Sequence, residues 1–151
     1  MILLDTSVLS RVFRRRRMGP EERHLETVVH DLLAEDIPLG LPGIVLQEVL
    51  SGIRAQKQFA ELERRLLASF SIVNAGTQDH MAAARLSNRC LASGQTASGP
   101  DCLIAVLAMA GDHELFTLDA DFLALAKHVP LKLYRGGGRR LTTRIWTPPA
   151  K

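Results

Sequence analysis

The sequence predicts an α/β domain, a central parallel sheet of about four to five strands covered by helices on both faces. Three observations lead there. Short apolar runs bounded by turn residues alternate with longer stretches of helical periodicity through residues 1–133. The runs are apolar at successive positions, as in strands buried on both faces of a parallel sheet. Aromatic residues make up only 5% of the chain, so Ala and Leu carry most of the packing, which favours helices.

The elements follow in order. Residues 1–4 are continuously apolar and read as a buried strand. Asp5, Thr6 and Ser7 are all good helix caps, and Val8, Leu9, Val12 and Phe13 then recur at helical spacing. Gly19-Pro20 interrupts the pattern, which resumes over 21–35 through Leu25, Val28, Val29, Leu32 and Leu33. Ile37 to Leu41 reads as a strand that Pro42-Gly43 ends. Val45, Leu46, Val49, Leu50 and Ile53 form one helical face, and Phe59, Leu62 and Leu66 mark another helix over 56–68. Phe70 to Val73 is a short strand, a helix spans about 77–92, and 94–100 is a loop rich in Gly, Ser and Thr. Residues 101–110 are apolar nearly all round, which predicts a buried helix. Glu114 to Leu118 is a strand, Ala120 to His128 a short helix, and Leu131 to Leu133 a last strand. The Gly136-Gly137-Gly138 run breaks regular structure, so the sequence divides into a domain over 1–134 and a Gly-rich basic tail over 135–151.

The chain has 151 residues, 46% hydrophobic and 23% charged, which fits a single globular domain with a core of its own. No segment has the apolar length of a secretory signal or a membrane span, and a cytoplasmic location is expected. Cys90 and Cys102 lack both a disulfide framework and metal-ligand spacing, and both read as buried thiols. The five histidines show no metal spacing either. The net charge of +3 is unevenly placed: after Asp121 there are seven bases and no acids, and the rest holds twelve bases against its 16 acids. A second basic run is Arg14, Arg15, Arg16 and Arg17. Such charges are either solvated surface or contacts to a polyanion held near an acidic body.

In a parallel α/β sheet, ligands gather at the carboxyl ends of the strands. Asp5 and Asp119 each lie just past a predicted strand, which puts both on that edge. Asp101 opens the buried helix after a loop, so its placement is weaker. Glu48 lies about 60° from Val45 around its helix, beside the apolar arc, and is able to reach over the sheet edge. Taken singly, Asp5, Asp101 and Asp119 are explicable as helix caps and Glu48 as a surface charge. Taken together they converge, and packed carboxylates are costly unless a cation neutralises them. Oxygen ligands favour Mg²⁺ or Mn²⁺, ions that serve phosphate chemistry.

Four segments then resemble the PIN-domain ribonucleases, and within them the toxins of VapBC toxin–antitoxin pairs. They are Ile2-Leu3-Leu4-Asp5-Thr6-Ser7-Val8-Leu9, Val45-Leu46-Gln47-Glu48-Val49-Leu50, Asp101-Cys102-Leu103-Ile104-Ala105 with Gly94-Gln95-Thr96 upstream, and Glu114 to Phe122. The resemblance implies a three-layer α/β/α fold and Mg²⁺- or Mn²⁺-dependent cleavage of RNA phosphodiesters. It implies an acidic cluster of Asp5, Glu48, Asp101 and Asp119, with Asp5 and Asp101 as direct metal ligands. Glu48 and Asp119 would act directly or through water. Thr6, Thr117 and Asp121 are accessory candidates, with helix capping an equal reading for Thr6. Arg14 to Arg17 are candidate RNA-phosphate contacts; that dense run and the basic tail exceed the family pattern. The resemblance also implies a VapB-like antitoxin lying across the site and a homodimer. The apolar helices at 44–53 and 56–68 are candidates for the antitoxin groove, although their periodicity is equally that of a core face. Two other classes compete. An aspartyl-phosphate enzyme would need a lysine near the phosphate, and before Asp121 the chain has only Lys57. A silent RNA- or protein-binding domain would have no use for all four acids. An RNA-processing nuclease of the same fold shares every motif.

Overall fold

A computed structural model describes residues 1–13, 19–95 and 97–135. The run Arg14–Arg17 and the tail from 136 onward lie outside these, as does Thr96.

Five parallel strands form one sheet: β1 (Ile2–Leu4), β2 (Leu39–Pro42), β3 (Ser71–Val73), β4 (Glu114–Phe116) and β5 (Lys132–Leu133). Seven helices accompany them among the described residues: α1 (Thr6–Phe13), α2 (Pro20–Ala34), α3 (Gly43–Leu50), α4 (Gln56–Ser69), α5 (Thr77–Ala92), α6 (Gly99–Ala110) and α7 (Ala120–Leu125). The α/β class and the order of elements agree with the sequence expectation.

The strand order is β3-β2-β1-β4-β5. From β1 the chain steps outward through β2 to β3, then returns past β1 to lay down β4 and β5. Because parallel crossovers are right-handed, this reversal puts α1–α4 on one face and α5–α7 on the other. The helix packing follows: α1 touches α2 and α3, α3 touches α4, and α5 touches α6. Central β1 is shielded on both faces and both edges, so Leu3 and Leu4 are fully buried, with Leu41 and Leu115 beside them. Leu3→Ala is expected to cost about 2–5 kcal/mol, from lost burial and the residual cavity, read as a lower urea midpoint at unchanged m-value. Gly40, paired with Leu3, leaves no room for more: a Cβ there would stand 2.6 Å from Leu3 Cδ2.

Several boundaries shift from expectation. Pro42 closes β2 and Gly43 opens α3, so strand runs into helix without the turn that Pro-Gly suggested. Helix α6 starts at Gly99, with Pro100 inside its first turn, where proline lacks no needed donor. Strand β4 stops at Phe116, because Thr117 onward turns out of the ladder into side-chain bonds. Helices α2 and α6 both end on an aspartate in the left-handed region, Asp36 at φ 55° and Asp112 at φ 51°. The following amides, of Ile37 and His113, close back on Leu32 and Ala108 at 3.0 and 2.8 Å, the six-to-one bond of a Schellman ending. Asp tolerates that conformation better than most residues, so the left-handed position at these ends needs no glycine.

The inward residues of α3 and α4, including Val45, Val49, Leu62 and Leu66, are buried in the core. Their periodicity is thus accounted for within the fold. No described helix is long and apolar enough to cross a membrane. Cys90 and Cys102 are free and buried. Burial first, then the neighbouring Cys90 and Asp101, raise the Cys102 thiol, which keeps it in its unreactive form.

Candidate functional site

The reversal of strand order between β1 and β4 opens a crevice at their carboxyl ends, the position at which open parallel sheets bind ligands. Asp5 is the first residue beyond β1 and Thr117 the first beyond β4. The Asp5 amide donates to the Phe116 carbonyl at 3.0 Å, so the ladder extends one step past the strands and sets the two exits side by side.

Asp5 is 5% exposed and is the only buried polar or charged side chain among the described residues. Three donors converge on one of its oxygens. Ser7 Oγ donates to Oδ2 at 2.6 Å, Thr117 Oγ1 at 2.9 Å and the Ser7 amide at 3.3 Å. Asp5 also caps α1, its carbonyl accepting the Val8 and Leu9 amides. The ordinary capping reading and the site reading therefore hold together. Thr6 does not use its hydroxyl for capping; it donates a hydrogen bond to Glu48 Oε2, tying α1 to α3 and drawing the partly buried Glu48 toward the Asp5 turn.

Thr117 bridges two acids. Its hydroxyl donates to Asp5 and accepts the Asp119 amide at 3.0 Å. Asp119 is the N-cap of α7, its Oδ1 accepting the Asp121 amide at 2.9 Å. Asp121 itself is exposed, and it is the backbone amide, not the carboxylate, that the structure ties to the cluster.

Asp101 sits at the third position of α6 in a reciprocal capping box. Its Oδ2 accepts the Ser98 hydroxyl at 2.6 Å and the Ser98 amide at 3.1 Å, while Ser98 Oγ accepts the Asp101 amide at 3.1 Å. Burial pushes the Asp101 carboxyl above its ordinary value, the Ser98 bonds pull it down, and the charges of Asp119 and Asp5 push it up again. Asp101 is thus within electrostatic reach of both other aspartates. Among the described residues, Glu48 joins the others through its hydrogen bond from Thr6.

Sequence reasoning took Ser7 only as a helix cap and passed over Ser98, and neither was given a place in the site. Ser98 had a local signal, since a serine three residues before an acid at a helix start is the capping-box pattern. Ser7 had none: its hydroxyl accepts the Leu118 amide at 3.0 Å, a partner 111 residues away.

The donor set suits a hard divalent cation. Among the described residues, each of the four acids has one oxygen engaged by protein donors, leaving the other free of them. None of the four makes an ion pair with a described base. No three described His, Cys, Asp or Glu side chains stand close enough to hold a metal ion by themselves. Mg²⁺ asks for less, keeping several waters and taking one or two carboxylates with substrate phosphates.

The family model for the PIN domain matches residues 2–128. The chain belongs to the PIN-domain family. No curated protein matches it by sequence. Its fold is similar to that of FitAcB from Neisseria gonorrhoeae, at TM-score 0.69 and 22% identity, covering 89% of this chain and 96% of that one. It is also similar to VapBC-1 from nontypeable Haemophilus influenzae, at TM-score 0.69 and 16% identity over 89% and 97% of the two chains. A third likeness is to a toxin–antitoxin complex from Klebsiella pneumoniae, at TM-score 0.63 and 22% identity, covering 88% of this PIN domain chain and 100% of that chain.

Proposed function

We propose that this PIN-domain protein is a Mg²⁺- or Mn²⁺-dependent ribonuclease, a hydrolase of RNA phosphodiesters, and the toxin of a type II toxin–antitoxin pair. The observation that carries the reading is Asp5, a buried carboxylate at the switch point of the sheet with other acids beside it and no described base to neutralise it. Carboxylates held close together repel one another, and a bound cation relieves that cost. Membership of a nuclease family supports the same reading, as does the likeness of the fold to a toxin–antitoxin complex from Klebsiella pneumoniae.

When bound, the cation polarises the phosphoryl oxygens and offsets the charge that grows on them. Asp5 and Asp101 are the residues proposed to hold it, each through the oxygen its hydroxyl partners leave free. Asp119 and Glu48 act through water, orienting the attacking molecule in line with the leaving oxygen and accepting its proton. Thr6 and Thr117 hold Glu48 and Asp5 in place, and Asp121 adds negative charge at the rim. Arg14 to Arg17 supply contacts to the RNA phosphates. A VapB-like antitoxin covers the acidic edge until it is removed, and the toxin pairs as a homodimer.

The test is cleavage of single-stranded RNA by the purified full chain. Turnover is expected with Mg²⁺ or Mn²⁺, loss with EDTA, and recovery when the cation is restored. Cleavage that persists in EDTA would argue for another chemistry, and no cleavage with either ion would leave a binding domain. The toxin role is read from co-expression with the product of the adjacent gene: a stable complex without nuclease activity supports it, and free active enzyme favours an RNA-processing nuclease.

A further inference from the structure

Ser7 makes three hydrogen bonds at the acidic edge. Its hydroxyl donates to Asp5 Oδ2 at 2.6 Å and accepts the Leu118 amide at 3.0 Å, and its backbone amide donates to the same Oδ2 at 3.3 Å. A serine hydroxyl carries one hydrogen and two lone pairs. With the hydrogen committed to Asp5, the Leu118 amide takes a lone pair, so the chain of bonds has one direction, from peptide to hydroxyl to carboxylate. Ser7 Oγ and Thr117 Oγ1 lie 3.4 Å apart, both turned to the same carboxylate oxygen.

Helix capping does not account for this. The backbone amide of Ser7 already makes the capping contact, and an alanine would keep it. The hydroxyl instead reaches across the switch point to the segment between Thr117 and Asp119. It thereby joins the turn after β1 to the turn after β4, the two turns that carry Asp5 and Asp119.

We infer that Ser7 is a positioning residue of the cation site: through Oδ2 it fixes the plane of the Asp5 carboxylate, and through Leu118 it fixes the backbone that presents Asp119. Without the Ser7 hydroxyl, Asp5 Oδ2 would keep one side-chain donor, Thr117, and the longer 3.3 Å bond from the Ser7 amide, with more freedom to turn about its Cβ–Cγ bond. Two converging hydroxyls remove that freedom and keep Oδ1 clear of protein donors among the described residues. Partners that orient a metal ligand without touching the metal have a characteristic energetic weight, about tenfold to hundredfold in metal affinity or activity when removed. The inference rests on the cation-dependent reading of this edge.

The experiment is Mn²⁺ titration of the full chain by calorimetry or electron paramagnetic resonance, with RNA cleavage kinetics in parallel, for the wild type, Ser7→Ala, Ser7→Thr and Asp5→Asn. Ser7→Ala is expected to weaken Mn²⁺ binding by about tenfold to hundredfold. It should lower kcat with little change in KM for RNA, and Ser7→Thr, which keeps the hydroxyl, should restore both. Binding lost in Asp5→Asn but unchanged in Ser7→Ala overturns the inference and leaves the cation site standing. Equal Mn²⁺ affinity in wild type and Asp5→Asn overturns the cation site itself, and the role of Ser7 with it. A Ser7→Ala effect confined to the thermal midpoint, with binding and kcat intact, also overturns the inference by reducing Ser7 to a fold contact.

Discussion

Asp5→Asn is expected to lower RNA cleavage by about a hundredfold or more while the protein stays folded. The magnitude follows from the several kcal/mol of charge stabilisation that a correctly held cation supplies, with each 1.36 kcal/mol worth about tenfold in rate. Asparagine has nearly the same shape, and its carbonyl oxygen can still accept the Ser7 and Thr117 hydroxyls that meet on Oδ2. What it removes is the charge and the second oxygen. The change also removes one of the two charges that repel the Asp101 carboxylate in the cation-free protein. The thermal midpoint without metal should therefore hold or rise as activity falls. Single-turnover cleavage in Mg²⁺ and a melting curve in EDTA measure the two halves. Full activity in the variant would remove Asp5 from the site.

Asp101 gives the second large effect, and its sign depends on the cation. Its carboxyl is held above the ordinary value, by burial first and by Asp119 and Asp5 as well. An acid whose folded pKa exceeds its unfolded one costs stability when ionised. The cost is fully present above the folded pKa and disappears as pH falls below the unfolded value. In EDTA at neutral pH, Asp101→Asn is therefore expected to raise the melting temperature, with the gain shrinking on acidification into the carboxylate range. A cation favours the ionised form and reverses the balance, so saturating Mg²⁺ should raise the wild-type midpoint and leave the variant behind. In the variant the cleavage rate should drop by about a hundredfold or more at every pH. A variant that gains as much from Mg²⁺ as the wild type would take Asp101 out of the cation's reach.

The elements were largely legible because their signals are local. The run Ile2-Leu3-Leu4, the spacing of Val8, Leu9, Val12 and Phe13, and the all-round apolar stretch 102–108 each state a secondary structure within a few residues. The ends were less legible. Pro42-Gly43 reads as a break yet joins β2 directly to α3, since proline suits a last strand residue and needs no ladder donor there. Asp36 and Asp112 end helices in a conformation that sequence reasoning reserves for glycine or asparagine. In the site, the strand-end positions of Asp5 and Asp119 were readable from periodicity, whereas Asp101 and Glu48 entered mainly by family resemblance. The structure attaches Glu48 through Thr6, whose capping reading gives way to that bond.

By itself, the sequence determined the order and type of the elements and put aspartates where strands end and helices begin. Periodicity and capping are properties of neighbouring residues, so they survive without knowledge of the fold. The tertiary structure decided that β4 lies against β1, so that Thr117 and Ser7 close on the same oxygen of Asp5 and Asp101 comes under the charges of Asp5 and Asp119. Strand order is set by how the two helical layers bury the sheet, a balance over the whole core that no short segment encodes. A hydroxyl reaching an amide 111 residues away leaves no local trace, and so Ser7 emerged only when the chain was folded.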